Sequence, residues 1–388
     1  MIRRQITDEL KAAAAEYPVV TITGPRQSGK TTLAQMTFPG RAYHSLEDPD
    51  QRLAAETDPR GFLDRLTEGA ILDEIQRTPA LLSYIQGIVD HNPRPGMFVV
   101  TGSHQPELQQ NISQSLAGRT AILTLLPFSL AEIRHYRRRW DAFELIVTGT
   151  FPRVHKDRLT PNRFYNGYLQ TYVERDVRAL IHLKDLSAFQ QFLTLLAGRI
   201  GQVINYNALS SDTGVSSPTI KSWISVLKAS FVVFELRPYF ANIRKRVIKS
   251  PKIYFTDPGL AAFLLGIETP VQAARDPLRG GLYENLVILE LAKASLNLGR
   301  RPDLFFYRDT NGNEVDLVWR RGRRLVPIEI KSAATFTKSF LKGIERFRQA
   351  SGSPCAPGYV LYNGPQEHRI NDVHVINPLI HEASDLFP

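Results

Sequence analysis

One octapeptide limits what this chain can fold into more than any other stretch of it. Gly24-Pro25-Arg26-Gln27-Ser28-Gly29-Lys30-Thr31 has the spacing G-x-x-x-x-G-K-[ST] of a phosphate-binding loop. Such a loop needs a buried strand to deliver it and a helix to leave it. Tyr17-Pro18-Val19-Val20-Thr21-Ile22-Thr23 reads as the strand, and Thr32-Leu33-Ala34-Gln35-Met36 as the opening of the helix. Gly24 and Gly29 let the backbone turn its N–H groups onto a phosphate, and the helix N-terminus adds positive dipole. Pro25, Arg26, Gln27 and Ser28 fill the loop between them, and Thr32 follows in the first helical turn. Lys30 can reach the β and γ phosphates, and the Thr31 hydroxyl can ligate Mg²⁺. The expected ligands are ATP and Mg²⁺. Phosphate contacts leave the base preference open.

A loop of this kind works with a second strand that ends in acid, and Gly69-Ala70-Ile71-Leu72-Asp73-Glu74-Ile75-Gln76 supplies one. Asp73, at the carboxyl end of the strand, would hold Mg²⁺ through water. Glu74 would orient and deprotonate the attacking water, since phosphoryl transfer is mostly positioning and electrostatics. A third strand, Met97 to Thr101, runs into Gly102-Ser103. Ser103 is the first candidate for a polar side chain that senses the γ-phosphate, and Thr101 the second. Arg119 precedes a strand from Ala121 to Leu126. There it can act as a finger that stabilises the transition state in a neighbouring subunit, or simply cap a helix C-terminus.

These segments together resemble a known family. Gly24 to Leu33, Leu72-Asp73-Glu74-Ile75-Gln76, Thr101-Gly102-Ser103 and Leu116-Ala117-Gly118-Arg119 are similar to the prokaryotic ATP-binding proteins of the AAA+ superfamily. In those proteins an AAA-type ATPase domain precedes a C-terminal domain of unknown function, DUF4143. Tyr172-Val173-Glu174-Arg175-Asp176, Lys245 to Lys252 and Asp257-Pro258-Gly259-Leu260 resemble that C-terminal domain, so the likeness spans nearly the whole chain. It implies ATP binding and hydrolysis, and assembly as a homo-oligomer, a hexameric ring being one form. It implies no settled substrate.

Composition narrows the setting. A chain of 388 residues with 43% apolar content suggests two or three domains with real cores. One cysteine, Cys355, excludes a disulfide framework, and the nine histidines show no zinc-ligand spacing. Met1 to Leu10 lacks the apolar core of a signal peptide, and no apolar run is long enough for a membrane span. A cytoplasmic protein with no membrane partner is the expectation. The net charge of +10 gathers after residue 130, in Arg134 to Arg139, in Arg244-Lys245-Arg246 with Lys249 and Lys252, and in Arg320 to Arg324. Such clusters point to a polyanion, and DNA is the expected partner.

The C-terminal half carries two further patterns. Asn207 to Val215 reads as a short helix and tight turn, after which Ser217 caps a second helix with Pro218 at its first position. Ile220, Trp223, Ile224 and Leu227 give that helix one apolar face, leaving Thr219, Lys221, Ser222, Ser225 and Lys228 elsewhere. With Phe231 to Leu236 and Lys252 to Phe255 as wing strands around a basic loop, this is a winged helix-turn-helix pattern, suited to DNA or to a protein partner. Further on, Glu284 on a helix, Asp316 on a strand, and Glu329 and Lys331 on the next strand resemble the PD-(D/E)xK nuclease fold. Strand residues two apart share a face, so Glu329 and Lys331 point the same way. Asp316 and Glu329 would hold Mg²⁺ with Glu284 in support, and Lys331 would position water. An inherited fold used only as scaffold is the other reading.

The expected fold is α/β throughout. A P-loop AAA-type domain with a parallel sheet occupies residues 1–135 and a helical lid 136–185. A winged helix follows over 186–265, and a restriction-endonuclease-like domain over 266–388. The expected function is a Mg²⁺-dependent ATPase coupled to DNA binding or remodelling. The alternatives are an ATP-regulated nuclease and a nucleotide switch that binds proteins without turnover.

Overall fold

Val19–Gly24 forms the strand that delivers the phosphate loop in a computed structural model. The structure describes residues 2–103, 111–112, 114–173, 185–239, 250–309, 311–351 and 354–381. Within them the chain divides into two compact units. One comprises Met1–Phe128 with Ala229–Phe231 and Ser295–Arg301, and the other comprises the rest.

The first unit is built on five parallel strands: β1 (Val19–Gly24), β2 (Ala42–Ser45), β3 (Ala70–Asp73), β4 (Phe98–Ser103) and β5 (Thr120–Thr124). Their spatial order is β2-β3-β4-β1-β5. Alternate side chains of the strands feed two cores. Val20, Ile22, Ile71 and Val99 pack with Ile6, Leu10, Leu33 and Ala34 from helices Thr7–Glu16 and Lys30–Thr37. Val19, Leu72, Phe98 and Val100 pack with Leu81, Leu82 and Ile85 of helix Leu81–His91. Burial on both faces explains why β1, β3 and β4 read as continuous apolar runs. Strand β2 has no such run. Ala42-Tyr43-His44-Ser45 is a half-exposed edge strand, which is why the sequence reading passes over it. The order also places β4 between β1 and β3, so the carboxyl ends of these three strands line one crevice.

The second unit begins with short helices, Ala142–Thr148, Pro152–Lys156 and Pro161–Tyr168. The stretch read as a lid, 136–185, contains these helices joined by turns where described, and it clusters with this unit and not with the first. The cause is a buried polar knot. The carboxylate of Asp257, 1% exposed, accepts bonds from the Thr150 N–H (2.6 Å), the Thr150 hydroxyl (2.8 Å) and the Tyr165 hydroxyl (2.6 Å). Arg175, with Glu174 and Asp176 of the quoted motif, lies outside the described residues.

Helices Leu186–Ala197, Tyr206–Thr213 and Ser217–Ala229 follow. Ile220, Trp223, Ile224 and Leu227 are all buried as the spacing requires, with Trp223 5.2 Å from both Phe189 and Phe192. The cap stands one residue earlier than expected. The Ser216 hydroxyl accepts from the Thr219 N–H, while Ser217 turns its own hydroxyl to Asn207.

One mixed sheet of eight strands completes the unit: β6 (Val233–Pro238), β7 (Lys252–Phe255), β8 (Leu304–Arg308), β9 (Glu314–Arg321), β10 (Arg324–Lys331), β11 (Gly358–Tyr362), β12 (His368–Ile370) and β13 (Val373–Ile376). Their order is β12-β13-β11-β10-β9-β8-β6-β7. The antiparallel hairpin of β6 and β7, read as a wing, is therefore not a separate piece. Arg237 and Pro238 pair in parallel with Phe305 and Phe306 of β8, and the sheet runs across the expected boundary at 265/266. After helix Arg279–Asn297 come the antiparallel strands β8, β9 and β10, then helix Lys342–Ser351, then β11 parallel to β10.

Candidate functional site

The phosphate loop closes tightly against its own sheet. Gly24 has φ +150°, and a Cβ there would lie 2.1 Å from the Leu125 carbonyl oxygen, so no larger residue fits. Gly29 (φ +93°) makes the left-handed turn into helix Lys30–Thr37. The Lys30 ammonium donates to the carbonyls of Gly24 (3.1 Å) and Pro25 (2.9 Å), which folds it back over the loop. Pro25 and Ser28 are buried, Arg26 and Gln27 half-buried, and Thr32 exposed at the helix start. The buried oxygens of the Gln27, Ser28 and Ser103 side chains have no hydrogen-bond partner among the described residues. Buried polar atoms without partners cost free energy. Beside the phosphate loop they suit a polar ligand, so the residues present fit a nucleotide phosphate.

Asp73, 5% exposed, sits at the end of β3 among hydroxyl donors. The Thr31 hydroxyl lies 3.0 Å from each carboxylate oxygen, Tyr43 donates at 2.9 Å, and Thr101 donates as well. Every one of these donors is a neutral hydroxyl, so none of them brings a positive charge to the site. Burial, and then the charge of Asp73, push the Tyr43 phenol up to about 12. Glu74 follows in the left-handed region (φ 56°, ψ 45°), an uncommon conformation for a residue with a side chain. Gln76 donates to its carboxylate. Ser103 stands in register with Gly24, and Thr101 with Ile22, so both sequence candidates on β4 lie between the loop and Asp73. Only Thr101 touches the acid.

Two arginines behave differently from their first reading. Arg119 forms a two-point ion pair with Asp90 (2.5 and 2.9 Å) and donates to the Ala117 carbonyl. Its backbone carbonyl meets the Val19 N–H at the amino end of β1, roughly 16 Å along the strand from the loop. It therefore cannot serve the phosphates of its own chain. Arg4, which the sequence reading did not single out, is 7% exposed and braces the loop. It donates to the carbonyls of Ser28 (2.7 Å) and Leu126 (2.8 Å) and lies 4.9 Å from the Phe128 ring. No local pattern marks it, because its partners are 24 and 122 residues away.

The second unit brings Glu284, Asp316, Glu329 and Lys331 together with residues that the sequence reading did not include. The Lys331 ammonium bridges Asp316 (2.8 Å) and Glu329 (2.7 Å). Glu284 instead meets Lys252 (3.2 Å) and the Tyr254 hydroxyl, and Lys252 also pairs with Glu314 (2.6 Å). Burial, then the Asp316 charge, push the Glu329 carboxyl up to about 9, so it holds a proton at neutral pH. Burial also pushes Glu284 up to about 7, against the pull of Lys252. Burial would raise Asp316 too, but Lys331 and Lys252 hold it below the usual carboxylate range.

The basic clusters are partly spent within the fold. Arg134 donates to the carbonyls of Leu379 and His381, Arg137 pairs with Glu144 and covers Trp140, and Arg320 pairs with Asp303. Lys228 pairs with Glu235 at 2.5 Å. Lys221, Ser222 and Ser225 stay exposed on helix Ser217–Ala229, and so do Arg138, Arg139, Arg323 and Arg324. Arg244, Lys245, Arg246 and Lys249 lie outside the described residues.

Family models match three successive segments. An AAA domain covers residues 16–134, a domain of unknown function (DUF8612) covers 139–271, and a second (DUF4143) covers 279–380. An uncharacterized protein of Mycobacterium tuberculosis is 32% identical over 338 residues, 86% of this chain and 74% of its own length. An uncharacterized protein of Mycobacterium bovis matches to the same extent. The chain belongs to the family in which an AAA domain is followed by DUF4143. In this family member the phosphate loop, Asp73, Glu74, Ser103 and Arg119 fall in the AAA domain, and Glu284 to Lys331 in DUF4143. The DUF8612 match takes in both the stretch read as lid and the helix-turn-helix. Among solved structures, the chain is similar to a Walker-type ATPase of Pyrococcus abyssi (15% identity, 68% of this chain and 95% of that one, TM-score 0.43). It is also similar to a single-substitution form of RuvB from Thermotoga maritima (19% identity, 59% and 88%, TM-score 0.32). No helix among the described residues is long and apolar enough to cross a membrane.

Proposed function

We propose that this protein is a Mg²⁺-dependent ATPase that couples nucleotide turnover at the AAA domain to engagement of DNA by the second unit. The observation that carries the reading is the meeting of Thr31, the loop's last residue, with Asp73 at 3.0 Å. Residues 42 positions apart, each expected to serve one Mg²⁺, converge on one point, with Glu74 beside them. Mg²⁺ supplies charge neutralisation at the β and γ phosphates when bound. Lys30 and the loop N–H groups orient the phosphates, Thr31 and Asp73 hold the cation, and Glu74 takes the proton of the attacking water. Thr101 keeps Asp73 in place, and Ser103 stands where it can sense the γ-phosphate.

The DNA part rests on the helix pair Tyr206–Thr213 and Ser217–Ala229, whose second helix presents Lys221, Ser222 and Ser225 to solvent. Assembly as a homo-oligomer, a hexameric ring being one form, rests on Arg119. At the far end of its own sheet it can meet a phosphate only in a neighbour, and to do so it must release Asp90.

Phosphate release from Mg²⁺ and ATP, measured with and without duplex DNA, tests the reading. Wild type should turn ATP over, Lys30→Ala should not, and duplex DNA should change the rate. Turnover in wild type no faster than in Lys30→Ala would overturn the enzyme. A rate indifferent to DNA, with no salt-sensitive DNA binding, would overturn the coupling.

A further inference from the structure

The nuclease-like pattern calls for a divalent cation held by Glu284, Asp316 and Glu329. The donor set of this unit does not fit one. Each acid is already in contact with an ammonium group of the protein, Glu284 and Glu314 with Lys252 and Asp316 and Glu329 with Lys331, and Glu329 besides carries a proton of its own at neutral pH. Asp316 Oδ2 takes the Ile330 N–H as well, at 2.8 Å. Among the described residues no group of three or more His, Cys, Asp or Glu side chains stands where it could hold a metal ion.

Lys252 is the decisive residue. Its side chain is 2% exposed, and a lysine that dry is tolerated only where fixed negative charge surrounds it. Besides its two carboxylates it faces the Phe306 ring at 5.4 Å. Backbone also crowds two of the acids. A Cβ on Gly343 would lie 1.8 Å from Glu329 Oε1, so the backbone of helix Lys342–Ser351 closes that side of Glu329. A Cβ on Gly201 would come within 3.1 Å of Glu284 Oε2. The acids and lysines thus form one interlocked group at the junction of β7, β9, β10 and helix Arg279–Asn297, dry at Lys252 and Glu329 and open to solvent at Glu314 and Lys331.

We propose that Lys252 and Lys331 are built-in counter-ions in the electrostatic place of a divalent cation, so that this centre is a metal-free ion-pair core. The inference goes beyond the ATPase reading and does not depend on it, since it concerns residues of the second unit alone.

Mn²⁺ titration of the nucleotide-free full chain, followed by electron paramagnetic resonance, tests it. Wild type and Asp316→Asn should bind Mn²⁺ identically, because no ion sits at the centre. Lys252→Met should gain one Mn²⁺ per chain, and the gain should vanish in Lys252→Met/Asp316→Asn and be absent in Lys252→Arg. Mn²⁺ should raise the unfolding temperature of Lys252→Met and leave that of wild type unchanged. The proposal is overturned if wild type binds an ion that Asp316→Asn or Glu284→Gln removes, or if folded Lys252→Met gains none. Should Lys252→Met fail to fold, the comparison of wild type with Asp316→Asn decides the matter alone.

Discussion

Asp73 and Asp316 both stand on inner strands of their sheets, the first buried and the second nearly so, and their surroundings could hardly differ more. Three hydroxyls converge on Asp73, from Thr31, Tyr43 and Thr101. Lys331 converges on Asp316, with Lys252 close enough to act on it by charge. A hydroxyl donor satisfies a carboxylate without neutralising it, whereas an ammonium group cancels the charge that would draw a cation. On the two readings proposed above, the same residue type serves a metal in one unit and acts as a structural anion in the other. Acids alone do not make a metal site, and the charge of their neighbours decides.

The comparison can be broken at several points. The largest expected effect is at the nucleotide centre, where Glu74→Gln should lower hydrolysis by about 10²–10⁴-fold, the range for loss of a general base. Nucleotide binding should persist, as read by fluorescent-analogue titration. Hydrolysis at the parent rate would remove Glu74 from the mechanism.

At the second centre Lys252→Met should cost up to about 3–5 kcal/mol, because it leaves the partly buried carboxylates of Glu284 and Glu314 without their counter-ion. Urea unfolding without added metal measures it, and a cost within the scatter would mean that the ion pairs do not hold the unit. A smaller change follows at the first centre. Tyr43→Phe removes one of three donors to Asp73 and should cost about 1.5–3 kcal/mol, the usual range for a bond to a charged group. Its Mg²⁺-dependent nucleotide affinity should shift in the same titration while Lys30 stays in place, so unchanged affinity would argue that the donors do not tune the cation.

The smallest effect is a slope. With its folded carboxyl pushed up to about 9, Glu329 keeps a proton that the unfolded chain loses near about 4.3. Between those values the folded state binds more protons, so stability falls as pH rises from about 5 to about 9. Glu329→Gln, neutral at every pH, should flatten that part of the unfolding-temperature profile. An unaltered profile would mean that Glu329 is ionised in the fold.

Legibility in the sequence followed the range of the interaction. The strand, loop and helix around Gly24 to Thr31, and the strand that ends at Asp73, were readable because a phosphate loop is set by spacing within eight residues and by the strand that must deliver it. The amphipathic helix Ser217–Ala229 was readable for the same reason, since its period is local, and its cap was misplaced by a single residue. Tyr43 was missed because it sits on a four-residue edge strand with no apolar alternation and reaches Asp73 across 30 positions. The wing hairpin was recognised as a pair of strands, but nothing local showed that β6 would continue into the sheet through Arg237 and Pro238. Lys252 was seen only as one more basic residue in a charged stretch. Its burial became visible once Glu284, 32 positions on, and Glu314 were brought against it.

What the sequence by itself determined is that the first unit is a P-loop ATPase domain. A phosphate loop followed by a strand ending in Asp-Glu has few other uses, because backbone geometry and dipole direction are set over a few residues. Tertiary structure alone decided the electrostatic sign of each acidic centre. Whether hydroxyls or lysines surround a buried carboxylate depends on strands and helices far apart in the chain, and in a medium of low dielectric those neighbours govern what the carboxylate can bind.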